Sequence, residues 1–128
     1  MHHVALICSD YARARHFYTE VLALPVIAET WRAERQSWKL DLGLPDGSQI
    51  ELFSFPAPPA RVSRPEACGL RHLAFTVDNL DAVIVHLAAH GIACEPVRVD
   101  PLTGCRFTFC VDPDDLPIEW VERMPRSS

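Results

Sequence analysis

His3 and Glu51 stand 48 residues apart, and His72 and Glu119 stand 47 apart. Each pair joins an imidazole to a carboxylate, and together they make a set of nitrogen and oxygen donors. Such a set suits a divalent transition metal, with Ni, Zn or Co favoured and Mn or Fe also accommodated. Five or six coordination would keep positions for water or substrate. The alternative is that both histidines are satisfied core residues and both glutamates lie on solvated edges. Carboxylates buried side by side repel and are costly to desolvate, so acids turned inward must meet a cation.

The elements that would carry these residues repeat. The strand-like run HVALICSD at 3–10 has the same form as HLAFTVDN at 72–79, 69 residues later. Each leads into a helix-like stretch. Ser9 or Asp10 can cap the first, where Ala14, Phe17, Val21 and Leu24 recur at helical spacing. Asp78 or Asn79 can cap the second, with Leu80, Val83, Ile84 and Leu87 on one face and Gly91 as its stop. Three extended segments follow each helix, at 26–31, 36–42 and 48–55 and then at 92–99, 105–111 and 117–122. The turns LPDG at 44–47 and DPDD at 112–115 precede the last strand of each half, with Gly47 or Asp115 available for a positive φ.

Each half therefore reads βαβββ, an α+β architecture, with module one at 1–54, a linker at 55–69, module two at 70–124 and a tail at 125–128. The linker, FPAPPARVSRPEACG, is too rich in proline for helix or inner strand. Its length would allow one module to reach a neighbouring chain, which makes a homodimer plausible. Period-two alternation puts Glu51 on one face with Phe53 and Phe55, while Ile50 and Leu52 point toward the helix. His72 shares its face with Ala74 and Thr76.

Composition narrows the function classes. Seventeen acids against twelve bases give a net charge of −5, with no run of Lys or Arg to serve a nucleic-acid surface. No apolar stretch reaches the roughly 20 residues of a membrane span, and MHHVAL lacks the basic region and cleavage site expected of a leader sequence. The expectation is a cytoplasmic protein that acts on a small molecule, without nucleic-acid or membrane partners. Five cysteines with no CxxC pair suit reduced, mostly buried thiols.

The βαβββ repeat with its His/Glu/His/Glu set resembles the vicinal oxygen chelate superfamily, which includes glyoxalase I, extradiol dioxygenases and bleomycin- and fosfomycin-resistance proteins. ELFSFPAPPARVSRPEACGLRHLAF at 51–75 and RFTFCVDPDDLPIE at 106–119 resemble the YaeR-like branch of glyoxalase I-like metalloproteins. The resemblance spans essentially the whole chain. It implies one domain whose paired modules form a cupped, barrel-like mixed sheet with helices outside. It also implies a divalent metal on His3, Glu51, His72 and Glu119, and a homodimer. His3 rather than His2 matches the ligand position, because it stands seven residues before Asp10.

By the same resemblance the activity is that of a lactoylglutathione lyase-like enzyme acting by enolisation of a small α-hydroxycarbonyl or thiohemiacetal. Glu119 would move the proton next to the carbonyl, and Glu51 would share that role. A ring-cleaving dioxygenase is disfavoured by the second acid, and a non-catalytic binding or resistance module is the other alternative. Glyoxalase I holds glutathione with an Arg and an Asn at positions where this chain has Ile7 and Phe55. Glutathione use is therefore in question. Trp31, Trp38, Phe53, Phe55 and Trp120 serve either as core or as a pocket wall, Arg71 and Arg106 are candidates for an anionic substrate group, and His86 and His90 are read as ordinary helix residues.

Overall fold

A computed structural model describes residues 1–124, and the tail at 125–128 lies outside the described residues. The chain divides into two compact units between Arg61 and Val62, inside the proline-rich stretch. In the first unit, β1 (His3–Cys8) leads to α1 (Tyr11–His16), then to β2 (Val26–Arg32), β3 (Ser37–Gly43) and β4 (Gln49–Ser54). The second unit repeats the order with β5 (Leu73–Val77), α2 (Leu80–Ala89), β6 (Arg98–Val99), β7 (Arg106–Val111) and β8 (Pro117–Glu122).

Each unit forms one four-stranded mixed sheet, in the orders β1-β4-β3-β2 and β5-β8-β7-β6. First and last strands of each unit pair in parallel, which the helical crossover permits, and the other strands pair antiparallel. The α+β class and both βαβββ modules are thus as the sequence implied.

The caps are resolved in favour of the second residue each time. Asp10 accepts from the Arg13 N–H at 3.1 Å and Asn79 accepts from the Ala82 N–H at 3.0 Å. Gly91, at φ +76, ends α2, and Gly47 and Asp115 take positive φ in their turns. Even alternation buries Leu40, Leu42, Ile50 and Leu52 with Phe17 and Tyr18 in the first unit; Ile118 and Trp120 join Leu80 and Leu87 in the second.

Two elements depart from the expected pattern. The first helix does not run regularly to Leu24, for it passes at Phe17–Val21 into a π turn in which the Leu22 N–H bonds the Phe17 carbonyl. The Thr19 hydroxyl donates to the Arg15 carbonyl at 2.7 Å, competing with the regular backbone bond, and Ala23 at φ +57 then ends the helix. The strand expected at 92–99 shrinks to Arg98–Val99. Pro96 has no N–H to give, although Glu95 on its other side still donates to the Phe109 carbonyl. All five cysteines are free, but Cys68 is exposed and Cys94 and Cys105 are half-buried, so only Cys8 and Cys110 match the expected burial. Among the described residues no helix is long and apolar enough to cross a membrane.

Candidate metal centre

Glu51 lies in the middle of β4, directly across from Asp41 on β3 and in register with Ala5 on β1. Residues in register share a face, so His3, two residues before Ala5, points to the same side as Glu51. His3 Nε2 is 3.4 Å from Glu51 Oε1. The second unit repeats this layout. Glu119 on β8 is in register with Ala74 on β5 and lies across from Phe109, and His72 stands two residues before Ala74. His72 Nε2 is 3.2 Å from Glu119 Oε1. The side chains are partly exposed, at 38% and 13% for the first pair and 26% and 19% for the second, so each pair is open to solvent.

These separations bear on whether the donors fit a metal. Two ligands about 2.0–2.1 Å from one ion, at angles between octahedral and tetrahedral values, lie roughly 2.8–3.4 Å apart. Both His–Glu pairs fall within that span. Two of the four proposed ligands thus come together in each unit, and among the described residues no group of three or more His, Cys, Asp or Glu gathers within either unit.

The surroundings of the two pairs differ. In the first unit Lys39 Nζ is 2.8 Å from Asp41 Oδ1 and 3.9 Å from Glu51 Oε2. His3 Nδ1 meets His2 Nδ1 at 2.8 Å, so one of those two nitrogens carries the proton. In the second unit the His72 ring rests edge-on against Phe109 at 5.2 Å, which fixes the imidazole plane. Among the described residues no Lys or Arg pairs with Glu119.

The remaining candidates separate clearly. Phe53 and Phe55 stack at 6.1 Å on the Glu51 face, whereas Trp120 is core, packed on Phe75 with its indole N–H toward Cys110 Sγ. Trp38 stacks on Tyr11 and touches the exposed Trp31. Arg106 does not serve as an anion anchor, because Asp81 at 2.6 Å and Glu122 at 3.7 Å already neutralise it. His86 and His90 lie ring to ring at 4.8 Å on the exposed side of α2. Sequence reasoning passed over Lys39 and Asp41. The alternation Ser37-Trp38-Lys39-Leu40-Asp41-Leu42 nonetheless puts both on the face opposite the core.

Residues 1–120 match the family model described as Glyoxalase/Bleomycin resistance protein/Dioxygenase superfamily. The chain belongs to the glyoxalase/bleomycin resistance/dioxygenase superfamily. Within it, the chain is 58% identical over 123 residues to the YwkD protein of Bacillus subtilis (strain 168), covering 96% of each. It is 54% identical over 123 residues to the YaeR protein of Escherichia coli (strain K12), covering 96% of this chain and 95% of the other. Neither name states an activity. Among solved structures, the glyoxalase family protein from Enterococcus faecalis superposes with a TM-score of 0.88 at 47% identity, covering 95% of this chain and 96% of that one.

Proposed function

We propose that this glyoxalase-superfamily chain is a divalent-metal-dependent lyase or isomerase of glyoxalase I type. Its metal ligands are His3, Glu51, His72 and Glu119, and its substrate is a small α-hydroxycarbonyl or thiohemiacetal. The observation that carries the reading is the recurrence of one half-site, an imidazole and a carboxylate 3.4 Å and 3.2 Å apart at the same register in both modules. In each module the two donors stand side by side on one sheet face, as two halves of one ligand set would. Ni, Zn or Co fit the two-nitrogen, two-oxygen donor set best, with Mn and Fe next.

The ion, when bound, supplies Lewis-acid polarisation of the substrate's adjacent oxygens. The protein's own part is proton transfer. Glu119 accepts the proton from the carbon beside the carbonyl and returns it to the neighbouring carbon, so the reaction is a net isomerisation with no external oxidant or reductant. Freedom from a fixed cation makes Glu119 the better carrier, while Glu51, shared between His3 and Lys39, has the secondary part. Phe109 keeps the His72 ring in place beside it.

The deciding experiment is the metal content of untagged protein by elemental mass spectrometry, wild type beside Glu119→Gln and His72→Ala. About one divalent ion per chain, lost or much weakened in both variants, supports the reading. Metal-free wild type that also refuses added Ni, Co and Zn overturns it and leaves a small-molecule binding module, which the aromatic pair Phe53 and Phe55 would suit. Proton exchange on α-hydroxycarbonyls after metal loading then tests the chemistry, and light scattering with and without metal tests the homodimer that the family resemblance implies.

A further inference from the structure

Over the sheet face that carries Glu51 lie two arginines with no acid to neutralise them, one from β2 and one from the turn after it. Arg32, the last residue of β2, lays its guanidinium over Phe53, with its central carbon 4.7 Å from the ring centroid and 5.8 Å from that of Phe55. Arg35, in the 3-10 turn Ala33–Arg35, reaches the same Phe55 ring at 5.3 Å. Arg15, Arg64, Arg98, Arg106 and Arg123 each face a carboxylate. Among the described residues Arg32 and Arg35 do not, nor does Arg13 on α1, but only the first two are seen on these rings.

Arg32 is held in a fixed pose. Its Nη2 donates to Oγ of the fully buried Ser37 at 3.0 Å, and two phenyl rings support its plane. Its Nε is buried and has no hydrogen-bond partner, the one such side-chain atom among the described residues. A buried donor left unpaired costs about 1–3 kcal/mol, and an oxyanion is the acceptor a guanidinium takes best. The second unit supplies a contrast. Arg98 likewise lies over Phe107 and Phe109, at 5.1 Å and 5.8 Å, but Glu95 stands 3.6 Å away and satisfies it.

We propose that Arg32 and Arg35, seated on Phe53 and Phe55, form an oxyanion subsite that takes the carboxylate or phosphate group of the substrate. Phe53 follows Glu51 by two residues on one face of β4, so the guanidinium lies roughly 7 Å along the strand beyond the Glu51 position. That spacing suits a short molecule with its anionic group at one end and its reacting carbons at the other. It also gives Phe55 a use: the chain has no asparagine there to hold glutathione, but the phenyl ring seats two guanidiniums. The subsite deepens the metal-lyase reading, yet rests on first-unit residues that make no claim on the metal.

Anion binding is measured on the full chain with inorganic phosphate and with succinate as probes, by calorimetry and by the Arg32 Nε–H resonance, against chloride at matched ionic strength. Saturable binding that shifts that resonance is expected, with affinity falling about tenfold or more in Arg32→Gln and several-fold in Arg35→Gln. Arg32→Lys should restore little, because an ammonium cannot offer the side-on pair of donors. A larger response to phosphate identifies a phosphate-bearing substrate, and a larger response to succinate a carboxylate. Exposed Arg35 can be changed without threatening the fold. Glu51→Gln should lose metal yet keep the anion response, so loss of the metal reading and loss of the subsite are seen separately. No saturable response to either probe, or equal affinity in wild type and both glutamine variants, overturns the proposal.

Discussion

The Lys39 ammonium lies 3.9 Å from Glu51, on Oε2, while His3 stands at the other carboxylate oxygen, Oε1. Asp41, directly across the ladder from Glu51, holds the same ammonium at 2.8 Å. A proposed metal ligand is thus flanked by a fixed positive charge that is itself mostly compensated by a neighbouring acid. Among the described residues Glu119 has no equivalent. The two halves are alike in backbone and in their His–Glu spacing, but they differ in the charge each presents to a cation.

That difference predicts opposite effects for two neighbouring substitutions. Lys39→Met removes a repelling charge, so metal affinity should rise by about three- to tenfold, the partial exposure of the lysine limiting the gain. Asp41→Asn frees the ammonium to pair with Glu51 and should weaken metal binding by a similar factor. Competitive titration with a chromophoric chelator reads both. Unchanged affinity in both variants would mean that Glu51 is not a ligand.

What the sequence disclosed and what it withheld follow from periodicity. Alternation is a local property, so Glu51 with Phe53 on one face and Leu52 on the other could be read directly. The 69-residue offset likewise made one half the template for the other. Ladder partners depend on register across chain segments far apart, and no local pattern shows that Asp41 lies opposite Glu51 or that Arg32 lies over Phe53. The π turn escaped notice because Thr19 back-bonding leaves hydrophobic spacing intact through Val21. Spacing offers Arg106 as a strand-end candidate for an anionic group, whereas Asp81 at the start of α2 neutralises it, a contact set by tertiary packing.

The two helix caps should behave as equivalents. Asp10 and Asn79 each accept a backbone N–H three residues on, in α1 and α2 respectively. Alanine at either position should cost about 1 kcal/mol of unfolding free energy in a urea titration. The pair shares no partner, so the double variant should lose about the sum. A negligible cost at Asn79 would mean that the second helix is held by β8, on which it packs and whose Glu122 accepts from the Leu80 N–H at 2.9 Å.

Leu40 and Leu52 face each other across β3 and β4, both almost completely shielded from solvent. Leu40→Ala should lose about 2–5 kcal/mol, from the missing apolar contact and the cavity left behind. Leu40→Met keeps the volume and should lose less than about 1.5 kcal/mol. A shift in denaturant midpoint at constant slope would attribute the loss to the folded core.

Cys110 gives a pH signature at the alkaline end. Burial is the main cause that lifts its thiol from 9.0 to about 11, against a smaller lowering effect of the Trp120 indole N–H that donates to Sγ at 3.3 Å. Between those two values the unfolded chain releases the thiol proton and the folded chain keeps it, so the folded state binds more protons and loses stability as pH rises. The contribution is whole below pH 9 and is lost by about pH 11, an effect on the order of 2 kcal/mol. Tyr11, also raised by burial and by its bond to Glu29, adds a decline of the same sign at higher pH. Subtracting the curve of Cys110→Ala from that of wild type isolates the cysteine. The difference in unfolding free energy should shrink steadily from pH 9 to pH 11, and a difference that stays flat across that range would place the thiol in contact with water.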